Sequence, residues 1–123
     1  MRIFIPSHCF EDSFVDNVQV TLSRMNHEVR TLGVVRHKTY WSLPRYGFRL
    51  VVSRLYRERP EPIERKIVKI ARAFQPDVIL GLTVQFHPET MDALRRLCPG
   101  RMILWWGDPP ANSQRWGILD QAW

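Results

Sequence analysis

Residues Arg101 to Ser113, RMILWWGDPPANS, decide how this chain is read. Met102 to Trp106 is an unbroken apolar run of strand length, and it stops at Gly107-Asp108-Pro109-Pro110. A short apolar run closed by turn residues predicts a fully buried strand of a parallel sheet. Proline has no amide hydrogen to give a sheet ladder, so the strand ends at or before Asp108. The polar residues that follow then fall where open α/β sheets bind ligands, just past the carboxyl end of a strand. An Asp before two prolines also serves simply to cap a turn, and that plainer role stands beside the functional one.

Working outward from this strand, the same alternation recurs. Arg2 to Pro6 (RIFIP) predicts a first strand. Ser13 then supplies a hydroxyl to cap a helix from Phe14, whose stripe is Phe14, Val18, Leu22 and Met25 with Val15 beside it. Glu28 to Leu32 alternates as a second strand before Gly33. Leu43-Pro44 opens a predicted helix through Arg57 that is apolar on two sides, which calls for two partners. Pro60 and Pro62 interrupt it, and Ile63 to Phe74 carries Ile63, Ile67, Ile70, Ala71 and Phe74 on one side. Val78 to Leu82 (VILGL) reads as a buried third strand. Pro88 starts a helix with Glu89 near its positive end and Met91, Leu94 and Leu97 inward. Strands alternating with helices predict an α/β fold, a Rossmann-like open parallel sheet of about four strands with helices on both faces.

Composition narrows the class further. The chain has 123 residues, enough for one domain with a real core. It is 45% hydrophobic and 24% charged, ordinary for a soluble protein. No apolar run nears the roughly 18 residues that span a bilayer, and MRIFIPSHCF lacks the long apolar core of a secretory signal. Cys9 and Cys98 have no metal-type spacing and read as the free thiols of a cytoplasmic protein. Cys9 sits close to a predicted loop, but a lone cysteine is most often a small hydrophobe.

The net charge of +6 is unevenly placed. Between Arg36 and Arg72 there are eleven Lys or Arg against three Glu, which leaves the rest at minus two. Arg45, Arg49, Arg54 and Arg57, interleaved with Trp41, Tyr46, Phe48 and Tyr56, are the candidate contacts to an anionic membrane or other polyanion. The same block also suits a solvated helix face. A nucleic-acid partner is disfavoured, since no recognised binding module is present.

In a parallel sheet all carboxyl ends share one edge. Three loops therefore gather there: 7–12, 83–87 and 107–113. They bring His8 and Asp108 as candidate bases, and Ser7, Asp12, Thr83, His87, Asn112 and Ser113 as candidate substrate contacts. Hydroxyls, amides, imidazoles and carboxylates together suit a polyhydroxylated ligand, which is held by many directional hydrogen bonds. Histidine changes protonation near neutral pH, which fits it for general-base work; each histidine also reads as an ordinary loop residue. The loop after the first strand contains no glycine, so the close backbone approach a dinucleotide pyrophosphate needs is missing. No phosphate-loop lysine motif and no HExxH appear, and no metal site is read. A receiver domain would need an Asp ending its third strand, where this chain has Gly81-Leu82-Thr83.

MRIFIPSHCFEDSFVDNV, FQPDVILGL and WWGDPPANSQRWGILDQAW carry a resemblance. With them the chain resembles the amino-terminal domain of bacterial two-Rossmann-domain (GT-B) glycosyltransferases, and is similar to glycosyltransferase family 4 and spore-maturation CgeB-like proteins. The resemblance implies that 1–123 is one acceptor-side domain, truncated, with the carboxy-terminal donor-binding domain absent. It implies transfer of a sugar from a nucleotide-sugar co-substrate to a hydroxyl-bearing acceptor, with no resident cofactor or metal. It also implies a cytoplasmic protein, peripheral to the inner face of the membrane where the acceptor is lipid-linked, and little turnover from this domain alone. The alternative is a non-catalytic peripheral membrane or polyanion-binding α/β module built on residues 36–72.

Overall fold

The computed structural model describes residues 1–34, 62–82 and 86–105. The predicted helix at 43–57, with Arg45, Arg49, Arg54 and Arg57, lies outside the described residues. Among the described residues four parallel strands form one sheet: β1 (Arg2–Phe4), β2 (Glu28–Arg30), β3 (Val78–Leu82) and β4 (Met102–Trp105). Their spatial order is β2-β1-β3-β4. The registers set Ile3 against Val29 and Val78, and run from Ile79 opposite Met102 to Leu82 opposite Trp105.

Three helices among the described residues cover the sheet: α1 (Phe14–Arg24), α2 (Pro62–Phe74) and α3 (Pro88–Leu97). Successive strand residues point to opposite faces, and the core divides accordingly. On one side Phe4 and Ile79 pack with Ile67, Ala71 and Phe74 of α2 and with Met91 and Leu94 of α3. On the other, Ile3, Ile5 and Leu82 pack against Val15, Val18 and Leu22 of α1. The β1-to-β2 connection moves one way with α1 on one face. The next two connections move the opposite way with α2 and α3 on the other face. Reversing both direction and face preserves the hand, as the single-handedness of parallel crossovers demands.

Two expectations need correction. Among the described residues β4 is an edge strand, and its exposure alternates instead of vanishing. Met102 joins the α2–α3 core, whereas Ile103 and Trp105 are 54% and 57% exposed on the α1 side. Apolar composition alone does not distinguish a central strand from an edge one. Phe14 at the start of α1 and Met25 just past its end also turn outward, and the inward stripe is Val15, Val18 and Leu22. Phe14 instead meets the Trp105 ring, with centroids 6.2 Å apart and planes tilted by 54°.

Candidate functional site

The strand order creates the site. β1 lies between β2, which follows it in sequence, and β3, reached by the later crossover. Leaving β1, the chain goes to α1 on one face; leaving β3, it goes to α3 on the other. Those two exits diverge at the carboxyl edge, which makes this position the topological switch point, the place where open α/β sheets bind ligands. Residues 7–12 form one wall. Residues 86–87 stand on the other, after 83–85, which with Thr83 lie outside the described residues.

The first wall is tied down by its backbone. The Ile5 amide donates to the Arg30 carbonyl at 2.8 Å, Leu32 to Ser7 at 3.0 Å and Cys9 to Gly33 at 3.1 Å. A parallel bridge from Cys9 to Val34 prolongs the β1–β2 pairing past the formal strand ends. Gly33 has a φ of +98°, which favours glycine at this turn. Ser13 then caps α1: its Oγ accepts from the Asp16 amide at 3.0 Å and from the Phe10 amide at 3.3 Å. Cys9 is buried and its Sγ donates to Asp16 Oδ1 at 3.2 Å. Burial, reinforced by the Asp16 carboxylate, pushes this thiol above its ordinary pKa. Cys9 is thus a packed, protonated thiol and a poor nucleophile.

Ser7 and His8 behave differently. Ser7 Oγ and His8 Nδ1 are both shielded from solvent, and neither has a hydrogen-bond partner among the described residues. Buried polar atoms are nearly always paired, so two adjacent exceptions at the switch point are the feature that most needs a reason. Asp12 sits at the outer end of the same wall, exposed, with a φ of 59°. Asn and Asp tolerate that left-handed conformation better than most residues.

On the second wall, His87 has a structural part that the sequence reading missed. Its Nδ1 accepts from the Glu89 amide at 3.3 Å and so caps α3, which fixes the ring proton on Nε2. Pro88 in the first turn was the available signal, because the residue before such a proline stands at the cap. The His87 amide in turn donates to Glu64 Oε2 at 2.9 Å, tying the first turn of α2 to the start of α3.

The structure therefore brings Ser7 and His8 to the switch-point rim, with Asp12 at the far end of their wall and His87 capping the helix opposite. Asp108, Asn112 and Ser113 lie outside the described residues. Strand order puts the switch point between β1 and β3, and that order could not be read from sequence. Among the described residues, no group of three or more His, Cys, Asp or Glu side chains is placed to hold a metal ion. Nor is any described helix long and apolar enough to cross a membrane. Comparison with protein-family models, with curated proteins and with solved structures finds no match to this chain.

Proposed function

We propose that the chain is the acceptor-binding half of a nucleotide-sugar-dependent glycosyltransferase, with the acceptor seated at the switch point between β1 and β3. One observation carries the reading: Ser7 Oγ and His8 Nδ1 are adjacent, buried and, among the described residues, unpartnered at that rim. A hydroxyl and an imidazole in this state offer a donor and an acceptor to a ligand hydroxyl at little desolvation cost, since that cost is met on folding. His8 Nδ1 is then the candidate base that takes the proton of the attacking hydroxyl, and Ser7 orients the sugar. The amino termini of α1 and α3 both face this edge, and their positive ends oppose the charge of a departing diphosphate. Asp108, Asn112 and Ser113 complete the acceptor contacts in this reading, with Asp108 the other candidate base. The donor is held by a further domain.

Titration of the isotope-labelled chain with a panel of mono- and oligosaccharides tests this by amide NMR. Perturbations are expected at residues 7–9 and 87, and Ser7→Ala should abolish them. Saturating sugar that leaves residues 7–9 unmoved while shifting amides elsewhere, or shifting none, overturns the assignment.

A further inference from the structure

We propose that the outward face of α2 is a docking surface for an anionic membrane, engaged by charge without insertion. The inward face of this helix is fixed by Ile67, Ala71 and Phe74 in the core. Opposite them stand Arg65, Lys69 and Arg72, all exposed. At 3.6 residues per turn these three fall within an arc of about 60° and span about 10 Å of helix. Lys66 flanks the row, and the remaining exposed residues of that side are Pro62 and Ala73. No acid interrupts it.

Its charge is also left unpaired among the described residues. Among the described residues there is one ion pair, Arg95 with Asp92 on α3 at 3.8 Å, and it does not involve α2. Glu64, the one acid of α2, is engaged by the His87 amide. Arg95 and Arg96, exposed on the neighbouring α3, extend the positive side, though Glu89 and Asp92 soften it there. The opposite side of the sheet has the reverse sign: Glu11, Asp12 and Asp16 against Arg24 across α1 and the residues before it. Among the described residues, this charge separation across the sheet favours the orientation in which α2 meets a negative surface and α1 points away.

The chemistry of the row selects the kind of surface. It has no aromatic ring to stack on a base and no amide or hydroxyl to read a base edge, so apart from cations that serve any polyanion it has no device for base readout. It also has no bulky apolar side chain to bury among acyl chains, which separates it from an inserting amphipathic helix. Four cations on a helix flanked by a second one match a laterally uniform sheet of anionic headgroups. This surface does not depend on the sugar-transfer reading, and it stands whether or not Ser7 and His8 hold a sugar.

The experiment is sedimentation of the full chain with phosphatidylcholine vesicles, with and without phosphatidylserine. Binding is expected only with phosphatidylserine, and raised salt should release it. Each cation near such a surface contributes about fivefold in affinity, so R65Q/K69Q/R72Q should bind roughly a hundredfold more weakly. The charge-preserving R65K/K69R/R72K and the α1 variant R24Q should bind as the parent does, and circular dichroism establishes that each variant is folded. A triple Gln variant that binds undiminished overturns the proposal, as does equal binding to neutral vesicles. Capture of duplex DNA in preference to the anionic vesicles at matched salt reassigns the surface to nucleic acid.

Discussion

Asp77 and Arg2 hold each other by two backbone-anchored hydrogen bonds across 75 positions of sequence. The Asp77 carboxylate accepts from the Arg2 amide at 2.7 Å, and the Asp77 amide donates to the Arg2 carbonyl at 2.8 Å. The Arg2 guanidinium also reaches the Phe74 carbonyl at 3.2 Å, at the end of α2. One residue before β3 is thereby locked to the first residue of β1, which sets the register of the two central strands. The bond from the Arg2 amide is the main reason that the Asp77 carboxyl titrates below its ordinary value.

A pH dependence follows from that direction. A carboxyl whose folded pKa is depressed contributes stability above its unfolded value, about 3.9, and loses it as pH falls through the folded value. Asp77→Ala should therefore lower the denaturation midpoint at neutral pH. The gap between parent and variant should narrow in acid as the parent's Asp77 becomes protonated. Urea titrations at a series of pH values measure it, and a gap constant down to strongly acid pH would contradict the account.

The two thiols predict the opposite limb. Cys98 is buried with its Sγ 3.4 Å from the Asp77 carbonyl and 3.8 Å from that of Arg101. Burial raises its pKa, as it does that of Cys9, despite the nearby positive charge of Arg101. A raised thiol pKa contributes stability below its unfolded value, about 8.5, and loses it as pH rises through the folded one. Relative to C9A/C98A, the parent should lose stability on going from neutral to alkaline pH. At neutral pH the native thiols should alkylate about tenfold or more slowly than a cysteine peptide, and denaturant should abolish the difference.

How much of this was legible in sequence depends on what each residue senses. Ile67, Ala71 and Phe74 were readable because a helix that covers a sheet needs a stripe at its own period, and theirs is complete. Phe14 failed the same test. It is the first residue of α1, it turns out to meet the Trp105 ring, and Val15 takes the inward place. β4 was legible as a strand but not as an edge, since strand order is settled by which crossovers pack together, and no single segment encodes that. The switch point inherits the same limit. Ser7 and His8 were candidates for their chemistry, yet only the order β2-β1-β3-β4 puts them there. The cap formed by His87 was within reach of sequence, through Pro88.

Core and open face should respond unequally to substitution. Leu94 is fully buried between α3 and the sheet, so Leu94→Ala should cost about 2–5 kcal/mol by leaving a cavity. Ile103 is more than half exposed on β4, and Ile103→Thr keeps the β-branch that suits a strand. Its cost should stay within about 0.5 kcal/mol. Chemical denaturation of the two variants compares them directly. Equal losses would mean that Ile103 is covered in solution and that β4 is flanked on both faces.

His87 calls for variants that separate holding the fold from holding a ligand. Its Nδ1 accepts from the Glu89 amide, so His87→Ala should remove the α3 cap and cost about 1 kcal/mol. Asparagine presents a carbonyl oxygen to the same amide, so His87→Asn should restore most of that stability while removing the imidazole Nε2. Ser7→Ala is the complement. Its Oγ makes no hydrogen bond among the described residues, so deleting it should leave stability within about 0.5 kcal/mol or slightly improve it. Denaturation midpoints for the three variants, read beside the sugar titrations, divide the roles. If His87→Asn is stable but sugar-blind, His87 contacts the acceptor through Nε2; if it binds sugar normally, the histidine serves the helix alone. A large stability loss in Ser7→Ala would show that its hydroxyl has a partner within the protein, and the acceptor site would then lose its strongest support.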